Sequence, residues 1–141
     1  QLISSARSAV YSVKNMKDII SNSNNLSSSS KDIKFNFFIN HKKETEDFYV
    51  ELNTILLQKE QTTFSAFQKI YDDIQNNYSA ALNNFYKDAQ HATIEDLDIT
   101  IAINFNRELF TANKAMLMAI KDLLLDEKEA KDFNEVPVYK T

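Results

Sequence analysis

INFNRELFTANKAMLMAIKDLLLD, residues 103–126, is the segment that decides the expected fold. It lies in a longer stretch, Thr93 to Asp126, that contains neither Gly nor Pro, so nothing in it breaks a helix. A continuous helix over this stretch would be about 50 Å long. Apolar residues recur on one side of it with the helical period, at Ile101, Ala102, Phe105, Leu109, Ala112, Met116, Ala119, Ile120 and Leu123. We expect the other helices to pack along this one.

Polar residues in the same segment are also spaced regularly. Asn106 and Asn113 fall at the edge of the apolar side, seven residues apart. Arg107, Lys114 and Lys121 repeat at the same interval and form a basic ridge farther round the helix. An amide near a buried seam needs a hydrogen-bond partner, because an unsatisfied one costs about 1–3 kcal/mol.

Composition favours a single helical domain. The 141 residues include no Gly, one Pro at position 137 and no Cys, which argues against tight hairpins, disulfides and thiolate chemistry. No segment approaches the about twenty uncharged apolar residues of a membrane span. The net charge of -4 argues against a nucleic-acid partner. Because the chain opens with Gln1 inside an expected helix, we expect a fragment of a longer protein.

Four helices are expected, at about residues 2–22, 31–59, 64–90 and 93–126, the last capped by Thr93. The stripe expected to be buried in the first helix is Leu2, Ala6, Ala9, Val13, Met16 and Ile20. The third helix has an aromatic seam at Phe64, Phe67, Tyr71, Ile74, Tyr78, Ala81 and Phe85. The fold class is therefore all-α, an antiparallel up-down bundle of four helices over residues 1–126. Residues 127–141 are expected to form a short extended C-terminal tail, because Pro137 disfavours a helix.

Catalytic and metal chemistry find little support. A di-iron bundle needs two Glu-x-x-His pairs, and Phe38 stands three residues before His41, while the other pair, Asp88 and His91, falls at a helix end. Two distant His residues and no Cys do not make a zinc site. No Ser is linked by a motif to a basic partner, and phosphate loops rich in Gly are impossible. We therefore expect no enzyme, no cofactor and no metal.

Two interpretations of the regular polar residues stay open. In the structural one, Asn106 and Asn113 fix helix register, as a buried Asn does in coiled coils. In the functional one, the two amides face Lys14 and Lys17 across the bundle, with other cations at the flanks, and form a strip that takes an anion or the acidic residues of a partner. The seven members of this strip are Arg7, Lys14, Lys17, Asn106, Arg107, Asn113 and Lys114. Asp18, Glu108 and Asp122 are near enough in the expected bundle to neutralise the strip.

Two segments, ARSAVYSVKNMKDI (residues 6–19) and residues 103–126, carry a family resemblance. They are similar to the first and last helices of the PhoU-like domain at the cytoplasmic C-terminus of bacterial sodium/phosphate cotransporter family proteins. The residues that carry the similarity are Arg7, Lys14, Lys17, Asp18, Asn106, Arg107, Glu108, Asn113, Lys114, Lys121 and Asp122. PhoU proteins bind metal clusters through repeated Glu/Asp-x-x-x-Asp motifs. Here only Asp122 and Asp126 have that spacing, so metal binding is not carried over.

The resemblance implies a regulatory or sensing domain on the cytoplasmic face of the inner membrane, attached to a sodium-dependent phosphate transporter. It would act by packing against the transporter or against a second copy of itself. The alternative is a stand-alone helical module that dimerises through its seams and binds no ion.

Overall fold

The computed structural model describes residues 2–58 and 64–135, apart from the side chains of Asp18, Glu127, Ala130 and Asn134. Regular secondary structure in these residues is entirely helical. Its elements are α1 (Leu2–Asp18), α2 (Ile20–Ser27), α3 (Asp32–Leu57), α4 (Phe64–Ala89), α5 (Asp96–Leu124) and α6 (Glu127–Glu135). The all-α prediction is confirmed for this part of the chain.

The core lies between α3, α4 and α5, in two clusters. The larger one contains Phe48, Leu52, Ile55, Phe67, Ile70, Tyr71, Ile74, Leu117, Leu125 and Phe133. The smaller one contains Ile19, Leu26, Phe37, Phe85, Ala102, Phe105 and Leu109. The aromatic seam predicted on the third helix faces this core: Phe67, Tyr71, Ile74 and Phe85 are buried, and Phe64, Tyr78 and Ala81 are partly buried. Its spacing of three and four residues keeps these side chains on one side of α4.

Paired contacts give the directions of the core helices. The ε-ammonium of Lys34 contacts Asp98, and His41 contacts Asn106, so α3 and α5 run parallel. Tyr78 stacks on Phe110, whereas Tyr71, seven residues earlier in α4, meets Lys114, four residues later in α5. Helices α4 and α5 are therefore antiparallel. The long helix predicted at the centre of the fold contacts every other helix.

Helix α1 rests on α5 through small residues. The Ser5 hydroxyl donates a hydrogen bond to the Ala119 carbonyl at 2.6 Å, and the Ser12 hydroxyl donates to the Ala112 carbonyl at 2.8 Å. These pairings show that α1 and α5 are antiparallel. Small side chains seven residues apart let the two backbones approach closely, and the hydroxyls are satisfied by helix carbonyls.

The buried stripe predicted for the first helix is wrong at four of its six positions, and only Ala9 and Met16 are partly buried. Leu2, Val13 and Ile20 are each more than half exposed, whereas Ser5 and Ser12 are buried. The prediction placed the most hydrophobic face of α1 in the core. The face that packs on α5 instead carries small side chains whose hydroxyls donate hydrogen bonds to carbonyls. The first helix also ends four residues early, at Asp18, and the Ser- and Asn-rich segment that follows it forms α2 over Ile20–Ser27. Leu26 is fully buried in the smaller core cluster and holds this polar segment against the bundle.

Two further predictions about helix ends are corrected. Helix α5 begins with a capping box formed by Glu95 and Asp98, not with Thr93. Residues 127–135 form α6 rather than an extended tail, and the Asp126 carboxylate accepts a hydrogen bond from the Glu129 amide at 2.8 Å. Phe133 of α6 is fully buried and meets the Phe64 ring at 5.3 Å. Pro137 lies outside the described residues.

Candidate functional site

The seven residues of the predicted strip do not form one site: six of them lie in three separate places, and Arg107 stands apart on α5. Asn106 and Asn113 are buried between α3, α4 and α5. Arg7 and Lys114 line a groove between α1 and α5. Lys14, Lys17 and Arg107 are exposed. The expected juxtaposition of the two amides with Lys14 and Lys17 does not occur, because the amides point towards α3 and α4 while α1 covers another side of α5.

The two amides line a small cavity, which we call the interior chamber. It holds about 30 Å³ and is lined by His41, Glu44, Thr45, Ile74, Asn77, Tyr78, Asn106, Leu109, Phe110 and Asn113. No residue of α1 is among the described residues that line it. A space of this size takes about one water molecule, so the chamber is too small for an organic ligand.

Asn106 and His41 form the best-defined polar contact in the chamber. The Asn106 amide donates through Nδ2 to the Tyr78 carbonyl at 3.0 Å, which directs its Oδ1 to Nε2 of His41 at 2.8 Å. Nδ1 of His41 lies 2.8 Å from the Phe37 carbonyl. Both ring nitrogens therefore face oxygen acceptors. A neutral imidazole donates to only one of these oxygens, whereas an imidazolium donates to both. The contact joins all three core helices.

Two other polar groups border His41. Burial raises the pKa of Glu44, an effect that the nearby His41 opposes and Asp47 reinforces. Asn113 is buried, and its Oδ1 accepts no hydrogen bond from the described residues. The amide of Asn106 thus fits the structural interpretation, with hydrogen-bond partners on both sides, whereas Oδ1 of Asn113 has none among the described residues.

The groove between α1 and α5 brings together two cations from different helices. It holds about 530 Å³ and is lined by Arg7, Ser8, Tyr11, Phe110, Thr111, Lys114, Ala115 and Met118. Lys114 is partly buried, and this burial lowers its pKa. Its ammonium lies 5.6 Å from the centre of the Tyr71 ring. We call this feature the α1–α5 groove.

The outer face of α1 is the third location. It consists of Leu2, Ile3, Ala6, Val10 and Val13, all exposed. Lys14 follows Val10 by four residues and Lys17 follows Val13 by four, so both cations continue this face at the next helical turn. Arg107 stands apart on α5, where its guanidinium donates to the Asn104 side chain at 3.1 Å.

The acidic residues expected to neutralise the strip have other partners. Glu108 accepts a hydrogen bond from Asn22 at 3.3 Å. Asp122 accepts one from the Ser4 hydroxyl at 2.8 Å and pairs with buried Lys121 at 3.0 Å. The side chain of Asp18 lies outside the described part of the chain.

An ion triad of Lys31, Lys34 and Asp98, in which Lys34 and Asp98 are buried and Lys31 is partly buried, was not predicted from the sequence. Asp98 accepts hydrogen bonds from Lys31 at 2.6 Å and from Lys34 at 2.7 Å, which together hold its pKa at about 2. The available signal was heptad spacing: Lys34 and His41 precede the core residues Phe48 and Ile55 at intervals of seven in α3. A polar residue at such a position faces the core and must find a partner there.

Metal ligands and membrane spans are absent from the residues that the structure describes. No three His, Asp or Glu side chains converge there. None of the described helices has the combination of length and hydrophobicity needed to cross a bilayer. No protein-family model matches the chain, and no curated protein or solved structure is significantly similar to it.

Proposed function

We propose that this chain is a non-enzymatic regulatory domain that docks through the outer face of α1 onto a helix of a partner protein. The observation that carries the proposal is the exposure of four large apolar side chains, Leu2, Ile3, Val10 and Val13, which are each 63–77% exposed. Burying one such side chain contributes about 1.5–3 kcal/mol, so a helix laid along this face would gain a substantial stabilisation. A contiguous apolar surface of this kind is typical of a protein interaction site.

Charge indicates what kind of partner fits. Helix α1 contains Arg7, Lys14 and Lys17 against one acidic residue, Asp18, so its net charge is 3 - 1 = +2. The whole chain carries -4. A partner helix with an apolar stripe bordered by Asp or Glu would complement α1, whereas a second copy would bring two cationic helices together. This favours a different protein over self-association.

The resemblance to PhoU-like domains suggests an identity for this partner protein. We propose a sodium-dependent phosphate transporter to which the domain is attached on the cytoplasmic face of the inner membrane. In this proposal the four long helices form an up-down bundle, and α1 is the helix that meets the transporter. A change in phosphate supply would alter the packing of the outer face of α1 and so regulate transport.

Site-specific photo-crosslinking in cells tests the docking proposal. A photoreactive amino acid is placed at Val10 in the full-length protein, with Val50 as the control, because Val50 is similarly exposed but belongs to α3. We expect Val10, and not Val50, to crosslink to a helix of the transporter that contains acidic residues. Crosslinks to a second copy would favour the dimerisation alternative. Equal crosslinking from both positions, or none, would contradict docking through α1.

The regulatory part of the proposal needs a functional measurement. The double substitution Val10→Asp and Val13→Asp introduces charge into the outer face, and Val50→Asp serves as the matched control. We expect the double variant to change phosphate uptake while circular dichroism shows an unchanged helical content. Normal uptake in a folded double variant would rule out regulation through this face.

A further inference from the structure

The α1–α5 groove has a specific origin in the sequence. Helices α1 and α5 approach closely where Ser12 meets Ala112. Beside this contact, the short side chains of Ser8 and Ala115 leave room between the longer residues that flank them. The resulting space of about 530 Å³ is within the range of small-molecule sites, about 300–1,000 Å³.

The walls of the groove combine two chemistries. Tyr11, Phe110 and Met118 supply apolar surface, and Arg7 and Lys114 supply positive charge. Within the described residues neither cation forms an ion pair. The nearby acid of α5, Asp122, is held by Ser4 and Lys121. Two cations next to an apolar wall, without a carboxylate between them, are complementary to a molecule that carries both an anion and a hydrocarbon.

The dimensions restrict the length of this molecule. Phe110 and Met118 are eight residues apart on α5, a separation of about 12 Å along a helix. That distance fits a single acyl chain of medium length, and it spans only about two turns of a docked helix. The groove therefore fits a small amphiphile better than a protein segment.

We propose that the α1–α5 groove binds a single-chain amphiphile with a carboxylate or phosphate head group. The head group contacts Arg7 and Lys114, and the chain lies against Tyr11, Phe110 and Met118. The groove borders the outer face of α1 but has a different lining: Arg7, Ser8 and Tyr11 line the groove, whereas Val10 and Val13 do not. Its occupancy does not depend on the proposed transporter.

Calorimetric titration with four probes tests the site. Decanoate and octyl phosphate present the two head groups, decanol presents a neutral chain, and inorganic phosphate presents the head group alone. The two anionic amphiphiles are used below their critical micelle concentrations, and decanol below its solubility limit. We expect both anionic amphiphiles to bind. Decanol should bind at least about tenfold more weakly, because its hydroxyl is neutral and cannot form an ion pair with Arg7 or Lys114. Binding of inorganic phosphate as tight as that of octyl phosphate would contradict an amphiphile site.

Substitutions locate the bound probe. Arg7→Gln and Lys114→Gln should each weaken decanoate binding by about tenfold, while Lys14→Gln, an exposed cation of α1 outside the groove, leaves it unchanged. Ala115→Leu fills the groove and should weaken decanoate and decanol alike. Circular dichroism confirms that each variant is folded. Decanoate binding that survives all three groove substitutions, or that falls equally with Lys14→Gln, overturns the proposal.

Discussion

Nε2 of His41 lies 2.8 Å from Oδ1 of Asn106, at the point where α3, α4 and α5 meet. Nδ2 of Asn106 donates a hydrogen bond to the Tyr78 carbonyl of α4, so the Asn106 side chain links three helices. This arrangement fixes the relative positions of α3 and α5, since a shift by one residue would separate the two side chains. A satisfied buried polar contact of this kind specifies one packing among several apolar alternatives.

Substitution of the two buried amides should have different effects. Asn106→Ala leaves His41 and the Tyr78 carbonyl without their partner, and we expect it to lower the free energy of unfolding by about 2–3 kcal/mol. Asn113→Leu removes an Oδ1 that accepts no hydrogen bond from the described residues, so its effect should be within about 1 kcal/mol of the wild type. Urea denaturation followed by circular dichroism measures both. Equal destabilisation by the two substitutions would contradict the different environments of the two amides.

Acid should weaken the fold through Asp98. Its pKa is lowered from 3.8 to about 2 in the folded state, mainly by hydrogen bonds from Lys31 and Lys34. A carboxyl group with a lowered pKa stabilises the fold above the unfolded value, and this stabilisation is lost as the pH falls from 3.8 towards about 2. Denaturation curves measured at successive pH values in this window should show the loss.

The variant Asp98→Asn separates this effect from general acid unfolding. We expect it to cost about 2 kcal/mol at neutral pH, because hydrogen bonds to a charged group are lost, and to reduce the pH dependence between 3.8 and about 2. Asp96→Asn is the matched control: it removes the same charge from the first turn of α5, at an exposed position. A pH dependence that is unchanged in Asp98→Asn would show that other groups govern acid stability.

The helical class and the core of this protein follow from simple periodicity. The seam of α4 was predicted correctly because large aromatic residues at intervals of three and four have one way to be buried. The central position of α5 was predicted because its length and composition leave no break. The free energy gained by burying apolar side chains is proportional to their area, and the type and spacing of these residues can be read from the sequence.

Close helix contacts and buried polar pairs were not predictable in the same way. Ser5 and Ser12 read as surface residues on any hydrophobicity scale, yet they form the contact of α1 because they are small and can donate to carbonyls. Asn106 was identified as needing a partner, but the partner, His41, lies 65 residues away. Only the three-dimensional arrangement of helices decides which distant polar groups meet.

The small-residue contact between α1 and α5 should be sensitive to side-chain volume. Ser12→Ala loses one buried hydrogen bond and should cost about 1 kcal/mol. Ser12→Leu inserts a large side chain into a fully buried position and should cost more than Ser12→Ala, because the helices must separate. Val13→Leu is the control: Val13 follows Ser12 directly and is exposed, so this substitution should leave the free energy of unfolding unchanged. Hydrogen exchange should show α1 losing protection in Ser12→Leu while α4 keeps it. Protection of α1 as in the wild type would mean that volume at residue 12 does not limit the contact.

Phe133 should determine whether α6 stays attached to the bundle. Its ring is fully buried, packs at 5.3 Å from the Phe64 ring and lies 5.4 Å from the ammonium of Lys121. Phe133→Ala removes most of the apolar contact of a helix of only nine residues, which is too short to be stable alone. We expect a loss of about 3 kcal/mol, with hydrogen exchange increasing throughout α6 and along the last turns of α5, while α3 stays protected. Phe35→Ala, at a position of α3 where the side chain is 41% exposed, is the control and should cost less. If α6 keeps its protection in Phe133→Ala, residues other than Phe133 hold this helix on the bundle.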